Sequence, residues 1–313
     1  MPAFATHYIF LDELKDELVK KADFDFDIKT AGIGCQGPDI FLFHRLWPPF
    51  TITKTLNSVS GALHREKSEK IFDAFRDCLE LTDNRDMAKS YIYGFILHYA
   101  LDRNCHPYVY ARQDELTAAN PKMHPLTAHN MIEHSVDTYL LYTRRGIYPP
   151  SDFDSKATFS DSALAYNEIA RILNYTIHTA CGREVEQAEI IRAITDTAEL
   201  QDILRNRNGA ALRLARTLET VLSPVTKNFR FSASIKPKDL DLSQNCANIK
   251  GKAWTSPYDK IERSSTFDEL FDGAKADALS LIDGFEALCR GEKTAYEVTG
   301  NISFLTGMEV TEE

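Results

Sequence analysis

Residues 94–110 read GFILHYALDRNCHPYVY, and within this run His98, Asp102 and His106 are spaced i, i+4, i+8. On an α-helix that spacing sets all three on one face, with a drift of about 40° per step. Phe95, Ile96, Leu97, Tyr99, Ala100 and Leu101 surround them with apolar groups, so the face points to the interior. Burying an imidazole and a carboxylate together requires a partner. A divalent cation meets that need: His98 and Asp102 can grip one ion, and His106, a turn further on, can reach a neighbouring one. Pro107 predicts that the helix ends near His106 and leaves that ring at a mouth.

A second run, HNMIEHSVDTYLL at residues 129–141, repeats the i, i+4 geometry with His129 and Glu133. Asp137 lies one turn beyond and is expected to orient a ligating ring from behind. His134 points away from His129 on the helical wheel and is assigned a structural role. Alone, a histidine and a glutamate four apart is a weak signal. Beside the first run it gains weight, because one helical core can present both inward. Eight of the nine histidines lie in the first 134 positions, so a metal site is expected in the N-terminal half.

Working outward, helical periodicity dominates and alternating strand patterns are essentially absent. Helices are predicted over 10–21, a long stretch of 54–81, 84–106, 126–144, 160–179, 185–205, 210–221 and 267–288, with a short one after Lys293. Residues 223–265, with Pro224, Pro237 and Pro257, read as a long irregular crossover. The expected architecture is a single all-α bundle over 1–313. Its metal-ligand region is 1–145, its supporting helices 157–222 and its C-terminal helices 266–306.

The composition is that of an ordinary globular protein, and the net charge of −10 argues against a stable nucleic-acid partner bound through a broad basic surface. The first residues lack a basic start and an unbroken apolar run, and no apolar stretch is long enough to span a bilayer, so the expected location is cytoplasmic. Six scattered cysteines without a CxxC pair fit reduced thiols.

Taken together, these segments resemble the zinc-dependent phospholipase C family, in its bacterial branch without signal peptides. The resemblance lies in ATHYIF around His7, GPDIFLFHR around Asp39, the stretch from Gly94 to Tyr108, the run at 129–137 and AWTSPYDKIERSSTFDELFDGA at 253–274. It implies a helical bundle of the kind shared by zinc phospholipases and single-strand nucleases, with two to three Zn²⁺ in a cleft. Residue by residue, it implies that Asp39, His64, His98 and Asp102 hold one ion, and His106, His129 and Glu133 a second. Asp102 would bridge to a third, which His7 also binds. In secreted members a free N-terminal amine completes that third site, and Pro2, after loss of Met1, is placed to do so here. The gap between Asp102 and His106 is shorter than in secreted members, which leaves the second ion's position open.

The activity implied is hydrolysis of a phosphodiester or phospholipid by water whose pKa the ions lower, with Asp39 as the carboxylate that positions or deprotonates it. Transient contact with a membrane surface goes with such a substrate. Arg103 has two readings, a phosphate contact or an ion pair. Ile40 and Gly61 stand where choline-cleaving relatives carry aromatic residues, so a cation–π cage is not expected. Two other readings stay open: a nuclease or nucleotidase stacking bases on Trp47, Tyr108 or Tyr110, and a metal-binding protein of the same fold without turnover.

Overall fold

The computed structural model describes residues 4–46, 56–160, 162–222, 229–235 and 245–311. Its helices run in the order α1 (Phe4–Lys21), α2 (Ile28–Gly34), α3 (Asn57–Arg65), α4 (Ser68–Glu80), α5 (Arg85–Ala119) and α6 (Pro125–Arg145). They continue with α7 (Ala163–Cys181), α8 (Gln187–Leu204), α9 (Ala210–Leu222), α10 (Phe267–Cys289) and α11 (Ala295–Thr299). The fold is all-α. The one sheet among the described residues is a ribbon of β1 (Trp254–Thr255) and β2 (Glu262–Arg263), inside the crossover that the sequence assigns to irregular chain. Residues 223–228 and 236–244 of that crossover lie outside the described residues.

α5 is the axis of the molecule. It is apolar around most of its circumference from Ala88 to Ala111, the pattern of a helix enclosed by others. α2, α6 and α10 pack against it, and α1 lies across α6. The α2–α5 crossing depends on absent side chains. A Cβ on Gly34 would stand 2.2 Å from the Tyr91 carbonyl oxygen, and one on Gly94 2.2 Å from that of Ala31. The two backbones therefore touch, one turn before His98.

Pro107 does not end α5, which runs on to Ala119. A proline inside a helix frees the carbonyl four residues back, here that of Arg103. The chain at Gly307 covers it so closely that a Cβ there would sit 2.8 Å from the Arg103 oxygen. Tertiary packing thus tolerates a break that local sequence predicts.

The long helix expected over 54–81 is two, α3 and α4, because Glu66 and Lys67 take extended backbone. The polar run His64–Lys70 has no apolar side chain to hold a continuous rod on the core. α1 begins at Phe4, so His7 lies within the helix rather than before it. Among the short elements that escaped the periodicity are α2 and a 3-10 turn at Gly37–Phe43, both too short for a periodic signal. No described helix is long and apolar enough to cross a membrane. All six cysteines are free.

Candidate metal centre

Five elements deliver the chemistry to one place: α1 brings His7, the 3-10 turn Asp39, α3 His64, α5 His98, Asp102 and His106, and α6 His129 and Glu133. All eight side chains are buried. Asp39, His64, His98 and Asp102 offer ligand atoms within 4.8 Å of one another, and so do His106, His129 and Glu133.

Asp102 is the hinge between the groups. Its Oδ2 lies 3.1 Å from His98 Nε2, 3.5 Å from His64 Nε2 and 3.6 Å from His106 Nδ1, while Oδ1 lies 3.3 Å from His7 Nε2. Asp39 stands 3.7 Å from both the His64 and His98 Nε2 atoms. In the other group Glu133 Oε1 lies 3.1 Å from His129 Nε2 and 3.7 Å from His106 Nε2. With the short Asp102–His106 gap, His106 meets Glu133 from the same continuous helix that carries Asp102.

Do these residues fit a metal? Asp102 Oδ2 is buried with three imidazole nitrogens near it, yet none donates a hydrogen bond to it. The Nδ1 atoms of His7 and His98 are likewise buried without a hydrogen-bond partner. The Asp102 orphan, where the His98 and His64 Nε2 atoms converge, marks a missing group, whereas the two Nδ1 orphans lie on the far side of their rings. In three rings the far nitrogen is already engaged: His64 Nδ1 donates to the Ser60 carbonyl at 2.9 Å, His106 Nδ1 to that of Phe304 at 2.8 Å, and His129 Nδ1 to Gln113 Oε1 at 3.1 Å. That fixes the tautomer and turns each Nε2 lone pair inward, the arrangement a ligating histidine needs. Gly37 adds a cradle. A Cβ there would lie 2.3 Å from His98 Cδ2, and the residue's φ of +52° suits glycine. Mixed imidazole and carboxylate donors suit zinc. The residues fit.

Electrostatics agree. Burial opposes the Asp102 charge, but His106, His98, His64 and His7 outweigh it and hold the carboxyl well below the usual range. Glu133 is held down likewise, chiefly by His129, against its own burial. Burial also works against a charged His106, yet Asp102 and Glu133 push that ring up to about 9, while burial depresses His98 and His129. The carboxylates thus stand ionised amid rings of mixed protonation, and a bound cation would displace those protons.

Asp137 does not orient a ring. Its carboxylate accepts from the Ala5 and Thr6 backbone N–H groups at 3.1 and 2.7 Å and from Thr6 Oγ1 at 2.7 Å. These N–H groups belong to the first turn of α1 and have no partner within the helix, so Asp137 anchors the helix that carries His7. Arg103 pairs with Asp277 of α10, Nε to Oδ2 at 2.7 Å, and lies over the Tyr99 ring, so the ion-pair reading holds. Tyr108 is core, its hydroxyl bonded to the Cys246 carbonyl and its ring against Trp254. Pro2 and Trp47 lie outside the described residues.

A cavity of about 470 Å³ opens on both groups. Asp39, His64, His106, His129 and Glu133 reach it, beside apolar Leu42, Pro125, Leu126 and Leu305 and polar Asn57, Gln113 and Tyr110. No lysine or arginine is among its described lining residues. A small chamber of about 30 Å³ lies between His7, Asp102, His106 and Glu133, enough for one ion or water.

Sequence reasoning missed Ser60, Gln113, His124 and Phe304. His124 caps α6, its Nδ1 accepting from the Leu126 N–H, and also lines the cavity. Phe304 contributes a backbone carbonyl, which no side-chain motif can announce. The support for the site is therefore not confined to the N-terminal half.

The sequence matches the family described as zinc dependent phospholipase C over residues 6–199, a span that includes all eight of these side chains. No curated protein and no solved structure matches the chain. The helical fold, the two buried donor groups and the family match converge: the chain belongs to the zinc-dependent phospholipase C family.

Proposed function

We infer that the chain is a phospholipase C-like phosphodiesterase, in which Asp39, His64, His98 and Asp102 hold one Zn²⁺ and His106, His129 and Glu133 hold another. Asp102 with His7 borders the place for a third. The observation that carries this reading is the pair of buried donor groups joined through Asp102 and opening on one partly apolar cavity. Zinc bound there would lower the pKa of water and neutralise charge on a phosphate.

The chain's own residues do the rest. Asp39, at the cavity wall and within 3.5 Å of Ser60 Oγ, is placed to orient the attacking water and take its proton. Gln113 and the Phe304 carbonyl keep His129 and His106 turned inward. Leu42, Pro125, Leu126 and Leu305 offer an apolar wall to a diacylglycerol or other apolar leaving group. Only Tyr110 puts a tyrosine, tryptophan or phenylalanine ring on the described lining, which favours a lipid over a stacked base and leaves a choline group without a cage.

Hydrolysis of a panel of phosphodiesters with added zinc, and with chelator as control, tests the reading. The expected result is chelator-sensitive turnover of a phospholipid and little of an oligonucleotide. Preferred cleavage of oligonucleotide would make the chain a nuclease, and zinc-loaded protein with no turnover would leave a binding protein.

A further inference from the structure

We propose that α9 and the adjoining 3-10 turn at Phe231–Ser234 form a docking surface for an anionic lipid membrane beside the mouth of the cavity. The proposal rests on a phospholipid substrate and adds how the chain reaches it.

Charge gives the first observation. In a chain of net charge −10, the described residues of 209–231 carry Arg213, Arg216 and Arg230 against a single acid, Glu219. That acid is used internally, since both its oxygens accept from Ser232, one from the backbone N–H and one from Oγ at 2.8 Å. Arg213, Arg216 and Arg230 are exposed and make no ion pair among the described residues. Elsewhere the arginines are mostly spoken for, as Arg103, Arg144, Arg171 and Arg263 show.

Apolar exposure gives the second. α9 is held through Ala211, Leu212 and Ala215, which pack with Phe43, Leu200, Leu204 and Ile235. Leu214 and Leu218, one turn apart, remain 60% and 50% exposed. At 100° per residue they occupy one flank of the outward face, and Arg213 and Arg216 the other. A helix with leucines on one flank and, on the other, arginines that make no ion pair among the described residues suits the boundary between acyl chains and anionic headgroups.

Position gives the third. Leu42 both lines the cavity and packs against the apolar cluster that also holds α9. The 3-10 turn bridges α9 to the first turns of α6: the Arg230 N–H donates to Thr127 Oγ1 at 2.9 Å, and Asn130 Nδ2 to Ser234 Oγ at 2.9 Å. Along that bridge Phe231 is 37% exposed, and Leu126, itself on the cavity wall, is 43% exposed. Among the described residues, basic and exposed apolar side chains thus lie on α9, on the 3-10 turn that packs against it and on the start of α6 at the cavity wall. A second copy of the chain is the competing occupant, because its acidic surface would also complement the arginines.

Sedimentation of the full zinc-loaded chain with vesicles of phosphatidylcholine, with or without about one-third phosphatidylglycerol, tests this. Binding to the anionic vesicles, weakened by salt, is expected, and R213Q/R216Q should lower the partition coefficient roughly thirty-fold. L214S/L218S should lower it by about ten-fold or more, with an unchanged melting temperature. Both variants should hydrolyse a monomeric short-chain phosphodiester as the parent does. Failure of the parent to bind anionic vesicles, or equal binding by the variants, overturns the proposal. So does a lipid-independent dimer that L214S/L218S dissolves. If vesicles bind as expected while no phosphodiester is hydrolysed, the surface stands and the enzymatic reading fails.

Discussion

Gly37 and Asp137 show how much a single position decides without touching an ion. G37A would drive a Cβ into the His98 ring and place it in a backbone conformation that favours glycine. A loss of about 1–3 kcal/mol is expected, with weaker zinc binding at the Asp39 group, read by thermal unfolding and zinc titration. D137A leaves the Ala5 and Thr6 N–H groups without their acceptor and should cost about 1.5–3 kcal/mol. Its zinc affinity should fall although every ligand remains. D39N removes a ligand of the first ion together with the proposed base, so weaker zinc binding at that group and a kcat lower by about 10²–10⁴-fold at saturating zinc are expected. At this scale the sequence was legible where a residue's chemistry acts directly: the helical spacing exposed His98, Asp102, His106, His129 and Glu133, whereas His7, Asp39 and His64 needed the family resemblance. It was opaque where a backbone acts. The Phe304 carbonyl leaves no signature, and the anchoring by Asp137 depends on where α1 comes to rest.

Between elements, two joints hold the site in shape. The first is the segment after α11, which sets the Phe304 carbonyl against His106 and packs the Phe304 ring on Tyr99 with centroids 4.6 Å apart. Ending the chain after Thr299 removes no ligand side chain. Loss of one or more bound zinc ions is nevertheless expected by metal analysis, because His106 loses the bond that aims it. The second joint is Arg144 of α6, which binds Asp268 and Asp272 of α10 and Glu13 of α1. Hydrogen bonding from Arg144 is the main cause that holds the Asp272 carboxyl down, to about 2. A depressed carboxyl stabilises the fold above its unfolded pKa of about 4 and loses that effect as pH falls further. R144Q should therefore melt below the parent at pH 7, with the gap narrowing as pH drops towards about 2. Helix positions followed from periodicity, but their ends did not: Pro107 argued for a stop that Gly307 packing overrides.

As a whole, the described helices are built on α5, against which α1, α2, α4, α6, α7 and α10 pack, and the donor groups lie where α1, α3, α5 and α6 converge with the Gly37–Phe43 turn. Ions bound there tie elements far apart in sequence, so a chelator should lower the melting temperature sharply and zinc should restore it. The all-α class was legible from the length and period of the apolar patterns. How the C-terminal third supports the site was not, since those contacts join residues nearly 200 positions apart. Diffraction from zinc-loaded crystals at the zinc edge probes the centre most directly. One anomalous peak is expected among Asp39, His64, His98 and Asp102, and another among His106, His129 and Glu133. A map with no peak at either group would contradict the metal centre, and the hydrolase reading with it.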